Sequence, residues 1–271
     1  MSKEREDLIK AWRGFYPKIR PYILRGDELI LQGTKKGASI FNSYPSFEEY
    51  RQQEDYNDSQ NTKLNLGLLP VPYSGDLENA KIYVLMINPG LGDLDYVAEK
   101  RFVDYREALH QSRRQSNQLL KSRYPMMFLD PRFSWTGGGQ YWIKKLRHFI
   151  IQQRESQNCS MADAMSHLSK RICCIEYLPY HSVKFKNGKL LHSLKSTRLI
   201  WEFVHKDIVP RAKRGEVGII VRGQQYWQIP EDRKKREEKR NVVVMKGAHA
   251  IGAHMGIETE AGKLFARFLS N

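Results

Sequence analysis

The residues best equipped for chemistry stand where apolar runs stop. Ile82-Tyr83-Val84-Leu85-Met86-Ile87 breaks off at Asn88-Pro89-Gly90. Ile172-Cys173-Cys174-Ile175 breaks off at Glu176-Tyr177, followed by Leu178-Pro179-Tyr180-His181. Val217-Gly218-Ile219-Ile220-Val221 ends at Arg222-Gly223, and Asn241-Val242-Val243-Val244-Met245 at Lys246-Gly247-Ala248-His249, with His254 beyond. Each strand candidate is thus followed by an amide, a carboxylate, a guanidinium, or an ammonium with imidazoles. An amide both donates and accepts hydrogen bonds, an ionised carboxylate only accepts, and an imidazole can donate to a group that gathers negative charge.

The elements that carry these groups follow from the same pattern. A continuous apolar run between polar turns fits a strand buried on both faces, as parallel sheets require. Proline has no N–H to extend a ladder, and glycine lets a ligand approach the backbone. Helical spacing of apolar residues predicts helices over 161–170, 194–212 and 261–269, the second with Ile200, Trp201, Val204 and Ile208 on one face and Gly215 at its end. Strands alternating with helices predict an α/β fold: a three-layer α/β/α arrangement around a mostly parallel four-stranded sheet. If the strands are parallel, Asn88, Glu176, Arg222, Lys246 and His249 gather along one sheet edge, where α/β proteins hold ligands.

Residues 1–62 read as a helical elaboration on a 63–271 α/β domain, forming a single unit with it. Leu8-Ile9, Trp12 and Phe15-Tyr16 recur at helical spacing, and Ser46 caps a second helix carrying Phe47 and Tyr50. Between the first two main strands lies a long insertion. It has a basic helix over 104–123, an apolar loop over 124–128, and Gly137-Gly138-Gly139 leading into a helix over 141–150. A glycine-rich lead can hold a phosphate on free N–H groups or be a plain loop; both readings stay open.

Lysine and arginine number 45 against 30 acidic residues, a net charge of +15 over 271 residues. Such a surplus points to a polyanionic partner, most often nucleic acid, with salt-sensitive binding. The charged run over 233–240 is either a solvated loop or a DNA-backbone contact. No apolar run approaches the roughly 20 residues of a membrane span. The first residues, Met1-Ser2-Lys3-Glu4, lack an apolar signal core, so a cytoplasmic location is expected. Three cysteines, two of them adjacent in an apolar run, argue against a disulfide framework and against a four-cysteine metal site; Cys173 and Cys174 read as small core residues. No cofactor, no metal and no obligate protein partner are expected.

The segment Pro70-Val71-Pro72-Tyr73-Ser74-Gly75-Asp76, with Ala80-Lys81 and the run ending in Asn88-Pro89-Gly90, resembles the first signature of the uracil-DNA glycosylase superfamily, in the branches that carry Asn-Pro-Gly. Ile175-Glu176-Tyr177-Leu178-Pro179 resembles the strand that supplies the base-reading residue, and Val217 to Gln224 the third strand and its glycine. The place of the second signature, usually His-Pro-Ser, is held by His249-Ala250-Ile251-Gly252-Ala253-His254.

The resemblance implies a monofunctional DNA glycosylase that flips one base out of the stack and leaves an abasic site. Asn88 would position the attacking water, Asp93 or its neighbour Asp95 would face the cationic sugar, and His249 would donate to the departing base. Tyr96, Ile87 and Pro89 would line the base pocket with Glu176. Gly90, Arg222, Lys246 and His254 would meet the DNA backbone. Uracil readers commonly have asparagine where this chain has Glu176. An acceptor-only carboxylate would take the exocyclic amine of cytosine and repel uracil O4, so the expected target is a modified cytosine, such as a hypermodified phage base removed in antiviral defence, rather than plain uracil. Alternatives are a uracil or mismatch repair glycosylase, a catalytically inactive DNA-binding relative, and a metal-dependent nuclease using Asp76, Asp93 and Asp95. A Schiff base through Lys246 would add strand nicking, but simple base removal is the expectation.

Overall fold

The computed structural model of the chain describes residues 2–15, 20–32, 40–185, 191–231, 240–246 and 256–269. Its strands are β1 (Phe41–Asn42), β2 (Leu64–Asn65), β3 (Tyr73–Ser74), β4 (Ile82–Met86), β5 (Ile172–Glu176), β6 (Gly218–Val221) and β7 (Val242–Val244). Every residue of β4 is buried. Side chains alternate between the two faces of a strand, so helices and loops must cover both faces. That is the layered α/β arrangement expected from the apolar runs.

The main sheet has the order β3-β5-β4-β6-β7, and β1 pairs with β2 in a separate two-stranded sheet. β5, β4, β6 and β7 are parallel, with Leu85 beside Ile175 and Val221, and Val221 beside Val244. The chain leaves β4 toward β5 but leaves β6 toward β7. Connections that diverge from adjacent strands open a crevice at their C-terminal ends. The sheet has five strands rather than the expected four, because Tyr73–Ser74 pairs antiparallel with β5. Two residues within a proline-rich turn are too few to show a period.

Helix ends follow local chemistry. Ser46 accepts from the Glu49 N–H, and Thr136 from that of Gly139, both at 3.1 Å. The predicted 104–123 helix is two pieces, Val103–Arg114 and Asn117–Leu120, divided where Gln115 takes a left-handed φ of 46°. The predicted 194–212 helix passes through a π turn at Val204–Ile208 before Val209–Lys213. Pro210 has no N–H for the regular ladder, and the wider turn absorbs the defect. Gly215, at φ 82°, follows its end.

Leu8, Ile9 and Trp12 of the Lys3–Arg13 helix join the same apolar core as β4, β5 and β6, so the N-terminal elaboration is packed into the α/β unit. A smaller cluster holds Tyr50, Leu68 and Tyr96. Cys173 and Cys174 are buried thiols within β5. Among the described residues, no helix is long and apolar enough to cross a membrane.

Candidate active site

Beyond β4 and β5 the two chains keep company after the sheet ladder ends. The Leu178 N–H donates to Ile87 O at 2.8 Å, and the Ser182 N–H to Pro89 O at 3.3 Å. This places Asn88 against the segment that follows Glu176. The Asn88 amide Nδ2 lies 2.8 Å from Ser182 Oγ, 2.9 Å from Pro89 O and 3.2 Å from Tyr180 O. Two N–H bonds shared among three acceptors fix the plane of the amide and turn Oδ1 the other way. Oδ1 has no partner among the described residues.

His181 holds the turn from beneath. It is buried, with Nδ1 2.7 Å from Gly90 O and Nε2 3.1 Å from Leu69 O. The His181 carbonyl accepts from the Asn65 N–H at 2.7 Å. One residue earlier, the Tyr180 hydroxyl donates to Asp27 Oδ2 at 2.6 Å, and Asp27 Oδ1 accepts from the Ser196 N–H at 3.1 Å. Asp27 is buried, and burial raises its pKa. Asn88 is therefore oriented by a chain of contacts reaching residues far away in sequence. His181, Ser182, Tyr180 and Asp27 were not among the expected site residues. The only hint was Pro179-Tyr180-His181 itself, a polar stretch directly after a strand.

Of the two acids weighed beside Asn88, the structure brings Asp95, not Asp93, to the turn. Asp93 is exposed and accepts from the Tyr56 hydroxyl at 3.1 Å. Asp95 Oδ2 accepts from the Gly92 N–H at 2.7 Å. Burial raises the Asp95 pKa, and nearby His181 pulls against that rise. One helical residue of separation carries the two side chains to different sides, which explains the correction.

Tyr96 is also corrected. Its side chain is fully buried, its ring stacks on Tyr50 at 5.6 Å, and its hydroxyl lies 3.0 Å from Asn65 Oδ1. No ring face is open to a base. Ile87 and Pro89 are half-buried beside Asn88, and Gly90 is exposed, with open space where a Cβ would stand. Gly223 has φ +78°, and a Cβ there would fall 2.6 Å from Ile87 Cγ1, so only glycine allows this approach of the β6 and β4 ends.

Glu176 lies in register with Met86. It is 7 % exposed. Among the described residues its Oε1 accepts only a weak bond from Cys174 Sγ at 3.4 Å, and Oε2 has no partner. Burial pushes its pKa up to about 8. Arg222, after β6, donates to the Tyr141 hydroxyl at 3.2 Å, and both stand near enough to Glu176 to influence each other electrostatically.

No protein-family model, no curated protein and no solved structure matches this chain.

The remaining expected residues separate from this group. Lys246 is exposed and pairs with Glu231 at 3.2 Å. His249, His254 and most of the 233–240 charge run lie outside the described residues. The imidazole that the described residues bring to Asn88 is that of His181. Gly137, Gly138 and Gly139 form the first turn of the Gly137–Ser156 helix rather than a loop ahead of it. A Cβ on Gly138 would fall 2.5 Å from Phe128, and one on Gly139 would fall 2.1 Å from Phe133 O, so these glycines serve close packing. Asp76 is occupied by the Glu78 and Asn79 N–H groups. Among the described residues, no three histidine, cysteine or acidic side chains gather in a way that could hold a metal ion.

Proposed function

We propose that this protein is a DNA glycosylase that hydrolyses the N-glycosidic bond of an extruded, non-standard pyrimidine. The observation that carries this reading is the Asn88 amide. Its nitrogen is committed to Ser182, Pro89 and Tyr180, and its oxygen is left to accept a bond from water, at the C-terminal end of the central strand.

An amide is too weak a base to make hydroxide. It suits a reaction in which the C1′–N bond is largely broken before water attacks. The electron pair of that bond leaves with the base, the water oxygen bonds to C1′, and the water's proton ends on the departing base. Asp95, half-buried by the turn, supplies negative charge on the side of the cationic sugar when ionised. Extruding the nucleotide costs a few kcal/mol. The net charge of +15 supplies backbone attraction against that cost, and binding should weaken steeply with salt.

The test is incubation with duplexes carrying different pyrimidines, a hypermodified cytosine first among them, followed by alkali to reveal abasic sites. Asn88→Ala should lower turnover by about a hundredfold to a thousandfold, as loss of one oriented polar group does, while DNA binding persists. Equal turnover in the variant would remove Asn88 from the mechanism. Activity that disappears with EDTA would favour the nuclease alternative.

A further inference from the structure

Two features of Glu176 have no structural use. Its side chain is more than nine-tenths buried, and its Oε2 is bonded to nothing among the described residues. A buried polar atom left unpaired calls for an explanation, such as a functional role or a bound water or ligand, and among those in the described residues Glu176 Oε2 is the carboxylate oxygen at the end of a central strand. The groups around it do not complete it either. Cys174, on the same strand, is a weak donor at 3.4 Å. Arg222, from the end of β6, acts on Glu176 through its charge, and Tyr141, from the Gly137–Ser156 helix, is neutral and feels the Glu176 charge; neither donates a hydrogen bond to Glu176. An ionised carboxylate held this way would be buried without a strong donor, which is far more costly than burying the neutral acid.

We infer that Glu176 reads the extruded base as a neutral carboxylic acid, pairing through its C=O and its O–H at once with the base's N3 and 4-substituent. This rests on the glycosylase reading above. A protonated carboxyl offers one acceptor and one donor side by side, the same pattern as an asparagine or glutamine amide. Against a 4-amino pyrimidine, the base N4–H donates to the carbonyl oxygen and the acid O–H donates to N3. Against a 4-oxo pyrimidine, N3–H donates to the carbonyl oxygen and the O–H donates to O4. Ionisation removes one bond in either case and turns an oxygen toward a lone pair. It would also set a negative charge beside a base that leaves as an anion, whereas the O–H donates toward that developing charge.

The acceptor-only argument for cytosine over uracil therefore loses its premise. Glu176 admits both edges, and what selects between them lies elsewhere in the pocket. Burial pushes the Glu176 pKa up to about 8, so the neutral form holds at neutral pH. Of its neighbours, Cys174 is raised well above the ordinary thiol value and Tyr141 to about 12, so neither titrates in the same range.

The experiment measures kcat/KM for base release from DNA carrying uracil, 5-hydroxymethylcytosine or its glucosylated form, between about pH 6 and about pH 10. Wild type, Glu176→Ala and Glu176→Gln are compared, and the carboxyl C=O band is followed by infrared difference spectroscopy. Glu176→Ala should lose about a hundredfold, the equivalent of two hydrogen bonds. Glu176→Gln should recover to within about tenfold of wild type, because the amide keeps the donor–acceptor pair. Wild-type kcat/KM should fall about tenfold per pH unit above the Glu176 pKa, and Glu176→Gln should lack that fall. The protonated-acid band should be present near neutrality, vanish at high pH, and be missing from Glu176→Gln. An ionised Glu176 at neutral pH overturns the inference, as does a Glu176→Gln variant no better than Glu176→Ala, or an alkaline fall that persists in Glu176→Gln. If no DNA releases a base at any pH, the glycosylase reading fails, and base reading by Glu176 falls with it whatever the infrared band shows.

Discussion

Glu99 and Glu176 are the same residue type at similar depth, 4 % and 7 % exposed, yet their surroundings differ. Glu99, in the Asp93–Arg101 helix, accepts from the Leu69 N–H at 2.8 Å. Arg113, itself buried, opposes its charge and donates to Pro70 O at 3.1 Å. The pair thus holds the 69–70 backbone, whose Leu69 carbonyl meets His181. Glu176 has, among the described residues, one weak thiol contact and one unpaired oxygen. Burial raises both pKa values, Glu99 to about 7 and Glu176 to about 8. One buried acid is committed to backbone and to an opposing charge. The other stands at the end of β5, within electrostatic reach of Arg222 and Tyr141, with one oxygen unpaired among the described residues. Burial alone does not distinguish the two acids; their hydrogen-bond partners do.

The comparison breaks first if removing Glu99 is harmless. Glu99→Ala strands the Leu69 N–H and leaves Arg113 buried without its opposing charge, so it should cost about 3 to 5 kcal/mol, measured by urea unfolding. A loss below about 1 kcal/mol would place Glu99 in the same class as Glu176.

The dependence of stability on pH sharpens the contrast. Both acids have folded pKa values above the ordinary 4.5. Such a group binds its proton more tightly when folded. Its contribution is complete below about 4.5 and is lost as pH rises, through about 7 for Glu99 and about 8 for Glu176. Unfolding free energy should therefore decline across that window by a few kcal/mol for each acid. Glu176→Gln should make the decline shallower throughout and end it near pH 7, leaving the part belonging to Glu99. A decline unchanged in Glu176→Gln would show that Glu176 is ionised when folded.

The smallest effect has the opposite sign. Glu176→Leu replaces a buried carboxyl, unpaired among the described residues, with an apolar side chain and should raise stability by about 1 kcal/mol while lowering base release by about a hundredfold or more. A loss of stability would reveal a partner for Oε2.

How much of this was legible beforehand differs from residue to residue. The runs at 82–87, 172–175 and 217–221 announced strands buried on both faces, and their ends placed Asn88, Glu176 and Arg222 along one edge of the sheet. β3 was not legible, being two residues that pair only because β5 lies beside them. Nor was the role of His181. Its partners, Gly90 O and Leu69 O, come from other segments, and nothing in Pro179-Tyr180-His181 specifies them. Asp93 and Asp95 are equivalent in sequence; only the direction of the helix they open separates an exposed carboxylate from one beside the turn.

The amino-acid order by itself determined the parallel sheet and the polar groups along its C-terminal edge, because hydrophobic burial acts on neighbouring residues and its period can be counted. Only the tertiary structure decided which imidazole holds the turn after Asn88, that Tyr96 belongs to the core, that Gly138 and Gly139 pack closely against Phe128 and Phe133, and that Glu176 is buried with an unpaired oxygen among the described residues. Each of those depends on the distance to a partner from another part of the chain, and on how much water lies between.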